Sequence, residues 1–220
     1  MSKVSIKDFS ILSEQDKQEA VALLHRYDQI DKQDVCQNDF INFVKHLWPE
    51  FIEGRHHKII GEKFNRIAEG KLKRLIVCLP PRHSKSEFAS TYFPAWMMGR
   101  KGDLKIIQTT HTAELAVRFG RKVRNIIDSE EYSHIFPDLK LQADNKSAGR
   151  WTTNQEGESF YAGVGGAITG RGADLLIIDD PHSEQDALSP KSLESAYEWY
   201  TSGPRQRLQP GGIIVIVMTR

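Results

Sequence analysis

The chain has 220 residues, of which 39% are hydrophobic and 27% are charged. This length suits one globular domain of generous size, and this composition supports a buried core and excludes global disorder. Lys and Arg together number 30 against 29 for Asp and Glu. This near-neutral balance argues against a generally basic, histone-like nucleic-acid binder but leaves room for a local basic face.

The hydropathy pattern and the cysteines indicate the compartment. No stretch approaches the roughly 18 apolar residues of a membrane span, and the N-terminus lacks the apolar core of a signal peptide. Cys36 and Cys78 are the two cysteines, and Cys78 falls in an apolar run typical of an interior strand. We therefore expect no disulfide between them, no membrane contact and a reducing, cytoplasmic environment.

Helical patterns fill residues 1–70, which we predict to be an N-terminal helical subdomain. The first helix begins with a capping box at Ser13 and Asp16, and its apolar residues then recur at helical spacing: Ala20, Leu23, Leu24, Tyr27 and Ile30. A second amphipathic run begins near Asn38 and carries Phe40, Phe43, Val44 and Leu47. A third spans about residues 55–69, stops at Gly70, and has these residues facing inward: Ile59, Ile60, Phe64 and Ile67.

Residues 71–220 show a different pattern, in which short apolar runs alternate with helices. The predicted strands are 75–79, 105–109, 160–164, 174–178 and 213–218, and the first of them is expected to be covered on both faces. Predicted helices follow residue 84, where Pro94 kinks or ends the helix, and span 112–128 and 189–207, with an irregular stretch up to Trp151. Such alternation predicts an α/β fold with a mainly parallel central sheet flanked by helices.

A loop with the features of a phosphate-binding loop follows the first of these strands. Such a loop needs backbone N–H groups facing an anion, a Lys for the β- and γ-phosphates and a hydroxyl for Mg²⁺. Lys85 and Ser86 occupy the last two positions, but Leu79 and Ser84 replace both glycines of the usual pattern. If Ser84 requires a positive φ, it bears a strain of roughly 1–2 kcal/mol that Gly would avoid.

Two further predicted strands end in polar residues, one in a pair of carboxylates and the other in a hydroxyl. Four apolar residues precede Asp179 and Asp180, as in a Walker B strand, where the first Asp holds Mg²⁺ and the next carboxylate orients and deprotonates the attacking water. Thr219 ends the last strand, where a polar residue can sense the γ-phosphate; an ordinary strand end is the alternative. Together with Lys85 and Ser86, these residues predict a nucleoside-triphosphate site.

Several motifs, in order from about residue 50 to the end, resemble the large terminase subunit of tailed phages. They lie at 80–87, 93–96, 119–124, 169–174, 179–182, 199–200, 207–212 and 218–220. The resemblance implies an ASCE-type, RecA-like P-loop ATPase that hydrolyses ATP with Mg²⁺ to drive double-stranded DNA into a procapsid. The usual glutamate after the Walker B aspartate is Asp180 here, so turnover is expected to be slow or the geometry shifted.

The family also implies partners and a further domain. The partners are double-stranded DNA, the portal protein, the small terminase subunit and other copies of the chain, in a ring of five on the procapsid in the host cytoplasm. The family carries a C-terminal RNase H-like nuclease, which lies outside this sequence. Because the last strand ends almost at Arg220, we expect the chain to be part of a longer protein.

Arginine and histidine roles follow from the same resemblance. Pro81, Arg82, His83 and Ser84 form the loop expected to bind ATP with Lys85 and Ser86, and Arg82 is favoured over Arg171 and Arg220 as the arginine finger. Its alternative role is loop packing or a surface ion pair. Arg171 is a candidate for contact with the DNA backbone, for a finger acting on a neighbouring subunit, or for a solvated turn.

Two weaker signals complete the set. His57 begins a helix where such ATPases often recognise adenine, although an exposed helix-start histidine is equally compatible. Arg118, Arg121 and Lys122 share one helix face, which is either a contact surface for DNA phosphates or a solvated charged face. Alternative functions are a helicase, a DNA-repair ATPase, or a silent nucleotide-binding scaffold.

Overall fold

In the computed structural model, residues 13–168 and 170–219 are described, apart from the side chains of Asp144 and Lys146. The α-helices are α1 (Glu14–Asn38), α2 (Phe40–Leu47), α3 (Arg55–Ala68), α4 (Lys85–Glu87), α5 (Phe93–Arg100), α6 (Ala113–Ile127), α7 (Glu130–Ile135) and α8 (Pro190–Ser202). A π-helical segment (Phe88–Tyr92) joins α4 to α5, and 3₁₀ turns occupy Asp186–Leu188 and Pro204–Arg207. None of the helices in these described segments has the length and apolarity needed to cross a bilayer.

In the described part of the chain, seven strands form one mixed sheet. They are β1 (Arg74–Leu79), β2 (Lys105–Thr110), β3 (Leu141–Ser147), β4 (Arg150–Thr153), β5 (Glu158–Gly163), β6 (Ala173–Asp179) and β7 (Leu208–Thr219). The order across the sheet is β1-β7-β6-β2-β5-β4-β3, and the first five strands in this order pair in parallel. The predicted α/β class with a mainly parallel sheet flanked by helices is confirmed.

The predicted burial of β1 on both faces is wrong. β1 is the edge strand of the sheet, with Ile76 64% exposed and Cys78 also exposed, while Val77 is buried. A continuous apolar run does not distinguish an edge strand from an interior one, because the sequence does not show how many neighbours the strand has. Both cysteines are free thiols.

The N-terminal helices follow the predicted patterns with two differences. Ser13 and Asp16 form the expected capping box at the start of α1. The large apolar residues of the α1 stripe stay exposed, from Ile30 at 46% to Tyr27 at 71%. In α3 the inward prediction is wrong for Ile59, which is 50% exposed, because burial on that helix follows Ile60, Phe64 and Ile67 instead.

One hydrophobic core joins the N-terminal helices to the sheet. Phe40 of α2 makes edge-to-face contacts with Phe64 of α3 and with Phe88, Phe93 and Trp96 beyond β1. These five rings are fully buried. The boundary near residue 70 therefore separates helices from the sheet without separating two cores.

The remaining differences from the predictions lie in the second half of the chain. The stretch predicted to be irregular before Trp151 contains α7 and the antiparallel hairpin β3–β4, which extends the sheet beyond β5. The helical stretch that opens at Lys85 continues through Pro94 to Arg100, so Pro94 does not end it, and the π-helical distortion Phe88–Tyr92 lies directly before the proline. α8 ends at Ser202, before the predicted limit of residue 207.

Candidate functional site

The carboxyl ends of the parallel strands bring the predicted site residues together. In the register of the sheet, Leu79 of β1 is paired with Thr219 of β7, and Asp179 of β6 lies between Val217 of β7 and Thr110 of β2. The loop after β1 and the first turn of α4 approach the same edge. Residues separated by up to 140 positions therefore converge where parallel sheets usually bind ligands.

The loop between β1 and α4 is strained in two places. Arg82 has φ 63° and Ser84 has φ 58°, whereas His83 between them does not have a positive φ. Alternation of this kind turns successive backbone N–H groups toward one concave side, which is the geometry of an anion-binding nest. Ser84 is thus in the left-handed region where glycine would be unstrained, as the sequence suggested, at a cost of about 1–2 kcal/mol.

Asp179 is buried and held by two serine hydroxyls. Ser86 donates to Oδ1 at 3.1 Å and Ser90 donates to Oδ2 at 2.7 Å, while the carboxylate is 2% exposed. Burial raises the pKa of Asp179, and the two hydroxyls oppose that rise by stabilising the charged form. Ser90 was missed by the sequence reasoning, although its position four residues after Ser86 on one helical stretch is a signal that it shares the same face.

Asp180 connects the lysine to the end of β7. Its Oδ2 accepts from Lys85 Nζ at 2.6 Å, and its Oδ1 accepts from the Thr219 backbone N–H at 2.6 Å. The Thr219 hydroxyl lies 2.9–3.0 Å from the two carboxylate oxygens. Lys85 is buried at 9% exposure, and Asp180 itself has φ 40°, a sterically costly backbone conformation. The three residues form a closed network.

An open hollow lies directly over this network. It has a volume of about 750 Å³ and is lined by residues of the loop, of the strand ends and of the segment after β6, including Pro81, Arg82, Lys85, His111, Asp180 and Thr219. Arg82 and His83 are exposed, and the His83 ring is tied to its own loop through Nδ1 and the Pro81 carbonyl at 2.8 Å. The hollow is therefore open to solvent and bounded by both positive and negative groups.

His57 lies behind the loop rather than on the surface. Its ring is 6% exposed, stacks on Phe88 and meets Phe51 edge-on, and its Nδ1 accepts the Gly54 N–H at 2.9 Å. Burial, together with the neighbouring His56 and His83, lowers the pKa of His57 to about 4. An exposed helix-start histidine, the alternative interpretation, is thus wrong, while contact with an adenine base stays a prediction.

Arg171 lies at the amino ends of the parallel strands, whereas the hollow lies at their carboxyl ends. It pairs with Glu158 at the start of β5, which Arg150 also contacts at 3.0 Å, and its guanidinium lies 4.0 Å from the centre of the Phe160 ring. β6 separates the two edges by seven residues, or about 20 Å. A finger role for Arg171 within its own subunit is therefore excluded by distance, and Arg220 lies outside the described residues.

The basic face predicted on α6 is divided. Lys122 pairs with Glu87 of α4, whereas Arg118 and Arg121 are exposed and line an open groove of about 600 Å³ that begins at His111. His111 also lines the hollow over Lys85, and its backbone N–H donates to the Asp180 carbonyl at 3.3 Å. The groove and the hollow therefore meet at this residue.

Comparison with known proteins adds a likeness to a solved structure. No model of a protein family matches the chain, and no curated protein matches it. Among solved structures, the crystal structure of the HK97 bacteriophage large terminase is similar, with a TM-score of 0.49 and 9% identity. The match covers 76% of this chain and 33% of that one, so the chain spans about a third of the length of that protein.

Proposed function

We propose that the chain is the ATP-hydrolysing motor region of a phage large terminase, which uses Mg²⁺ and ATP to move double-stranded DNA into a procapsid. The observation that carries the ATPase part is the convergence of Lys85, Ser86 and Asp179, with Ser86 hydrogen-bonded to Asp179 at 3.1 Å. The terminase part rests on the ordered motifs between residue 80 and residue 220.

The donor set at the edge of the sheet fits a magnesium–nucleotide complex. Mg²⁺ takes hard oxygen ligands and keeps several waters, and Ser86 with the Asp179 carboxylate offers such oxygens beside an anion-binding loop. When bound, the ion neutralises charge on the phosphate oxygens. Lys85 supplies a buried ammonium to the β- and γ-phosphates, and the backbone N–H groups of residues 82–84 surround the phosphate chain.

In this proposal Asp180 changes its partner while Thr219 stays bonded to it. The γ-phosphate competes with Asp180 for Lys85, so that Asp180 is released to accept a proton from the water that attacks the phosphorus. Thr219 bonds the Asp180 carboxylate through its backbone N–H and its hydroxyl. The end of β7 therefore moves with this carboxylate when it turns from Lys85 to the water. Loss of phosphate lets the pair re-form, which couples turnover to movement.

Arginines and partners complete the proposal. Arg82 lines the hollow without a described ion pair, which suits a group that stabilises charge on the γ-phosphoryl in the transition state. Arg171 keeps two roles, contact with the DNA backbone or a finger for a neighbouring subunit. DNA, the portal protein, the small subunit and a five-membered ring of copies are partners proposed from the motifs.

The test is ATP turnover by the purified chain with Mg²⁺ and with EDTA. We expect Mg²⁺-dependent release of phosphate that Lys85→Ala and Asp179→Ala each reduce by at least about 100-fold, because each removes a charge facing the phosphates or the metal. Lys122→Ala, on the neighbouring helix, is the matched control and should retain turnover. Turnover unchanged in either site variant would refute the role given to that residue.

One observation favours a second candidate, a nucleotide-binding scaffold without turnover. Asp180 already engages Lys85 at 2.6 Å and is shorter than the glutamate usual at this position. If Asp180 holds Lys85 more strongly than the γ-phosphate does, nucleotide still binds, but Asp180 is not released to act as the base. A fluorescent ATP analogue that binds with Mg²⁺, in a chain that releases no phosphate even with DNA present, would select the scaffold.

A further inference from the structure

Ser90 makes the shorter of the two serine contacts with Asp179. Its hydroxyl donates to Oδ2 at 2.7 Å, against 3.1 Å for Ser86 and Oδ1, and Ser90 is fully buried. Each carboxylate oxygen thus has its own donor, and both donors come from one helical stretch. The two hydroxyls differ in their surroundings, since Ser86 is only half-buried in the first turn after the loop.

The backbone around Ser90 explains its orientation. Ser86 and Ser90 are four residues apart and so lie one above the other on the same face. The π-helical segment Phe88–Tyr92 contains Ser90, and segments of this type widen a helix locally and occur often at functional sites. The Ser90 carbonyl accepts from the fully buried Gln108 amide of β2 at 3.0 Å, which anchors the segment to the strand beside Asp179.

We propose that Ser90 is a positioning residue that fixes the Asp179 carboxylate so that Oδ1 is presented to the metal beside the Ser86 hydroxyl. This rests on the proposed function, because it assigns a role within the same magnesium–nucleotide site. A cation on Ser86 competes with the Ser86–Asp179 hydrogen bond. The Ser90 bond lies on the other oxygen and on the buried side, so it persists when the site is loaded.

The role predicts an effect on metal-dependent binding alone. Removing the Ser90 hydroxyl leaves the phosphate loop, Lys85 and Ser86 in place, so the affinity for nucleotide without metal should stay within about twofold of wild type. The additional affinity gained with metal should fall about tenfold, because a hydrogen bond to a charged group is lost and the carboxylate is free to rotate.

The experiment measures binding of a fluorescent ATP analogue to the whole chain, with Mg²⁺ and with EDTA, and Mn²⁺ bound per chain by electron paramagnetic resonance. The variants are Ser90→Ala and Ser90→Cys, which retains a weak donor. Thr91→Val is the matched control, because Thr91 is adjacent, 2% exposed, and its buried hydroxyl has no described partner. We expect a metal-specific loss in Ser90→Ala, a smaller one in Ser90→Cys and none in Thr91→Val.

The outcomes separate this proposal from the function on which it rests. Metal-dependent binding in wild type with Ser90→Ala equal to Thr91→Val overturns the positioning role and leaves the ATPase proposal intact. Equal losses with Mg²⁺ and with EDTA show a structural serine and also overturn it. Absence of metal-dependent binding in wild type ends both. If Ser90→Ala does not fold, as judged by its melting curve, Ser90→Cys carries the same comparison.

Discussion

Charged groups have different partners at the two ends of the parallel strands, called here the amino edge, where the strands begin, and the carboxyl edge, where they end. At the amino edge, Glu158 is paired with two arginines, and one of them also packs on Phe160. At the carboxyl edge, the described donors to the buried Asp179 are two hydroxyls, and three of the four described non-glycine residues with positive φ lie there: Arg82, Ser84 and Asp180. The amino edge is electrostatically satisfied, whereas the carboxyl edge retains backbone strain and a buried carboxylate, Asp179, that has no described ion pair, as functional sites do.

The largest test of this contrast is Asp179→Asn. We expect turnover to fall at least about 100-fold, because the amide carries no charge for the metal. The melting temperature should stay equal or rise, because the variant no longer buries a carboxylate whose pKa is raised by burial. Turnover assays and thermal melts of the same preparation check both parts. A large drop in melting temperature would mean that the carboxylate stabilises the fold, contrary to the contrast.

The second test uses pH at the histidine behind the phosphate loop. The pKa of His57 is lowered from 6.5 to about 4, so the unfolded chain binds the proton first as the pH falls. Its contribution to the free energy of unfolding is thus complete above pH 6.5, decreases between pH 6.5 and 4, and is constant below. We expect a loss on the order of 2 kcal/mol by pH 4.5 in urea unfolding.

His57→Gln serves as the comparison for that measurement, since the glutamine amide does not titrate. The difference in unfolding free energy between pH 7 and pH 4.5 should be smaller in the variant than in wild type by about the same amount. Equal pH dependence in both proteins would show that the ring is protonated in the folded state and that its burial costs little.

The smallest test is the carboxylate-to-amide change at the other edge, Glu158→Gln. It removes the charge shared by Arg150 and Arg171 and should lower the free energy of unfolding by about 1 kcal/mol, because the three side chains are partly exposed. ATP turnover should not change. Chemical denaturation and phosphate release measure the two effects, and a loss of turnover would connect the amino edge to the chemistry.

The convergence at the carboxyl edge could be predicted because it follows from few assumptions. Once the apolar runs ending at Leu79, Asp179 and Thr219 are taken as parallel strands, their ends must meet at one edge. The strain at Ser84 was predictable for a similar reason, since the turn has a fixed geometry and the sequence lacks its glycine. The first prediction rests on sheet topology and the second on the local backbone geometry of the turn.

Features that depend on tertiary neighbours were not predictable. The exposure of Ile76 and Cys78 reflects the edge position of β1, and the hairpin β3–β4 has few of the alternating apolar residues that reveal strands. The sequence places Ser90 on the same helix face as Ser86, but its contact with Asp179 becomes evident only when the π segment and the buried aspartate are seen to face each other. The placement of Arg171 depends on its contact with Glu158, 13 residues earlier, which no local pattern of the turn reveals.

The aromatic core gives the N-terminal helices a mechanical consequence. Phe88, two residues after Ser86, packs on Phe40 and His57, and Tyr92 stacks on Trp48. Closely packed interiors transmit displacement instead of absorbing it. Under the proposed function, a shift of the segment that follows the loop after β1 would therefore carry α2 and α3 with it, which would make these two helices part of the moving body and not a passive attachment to it.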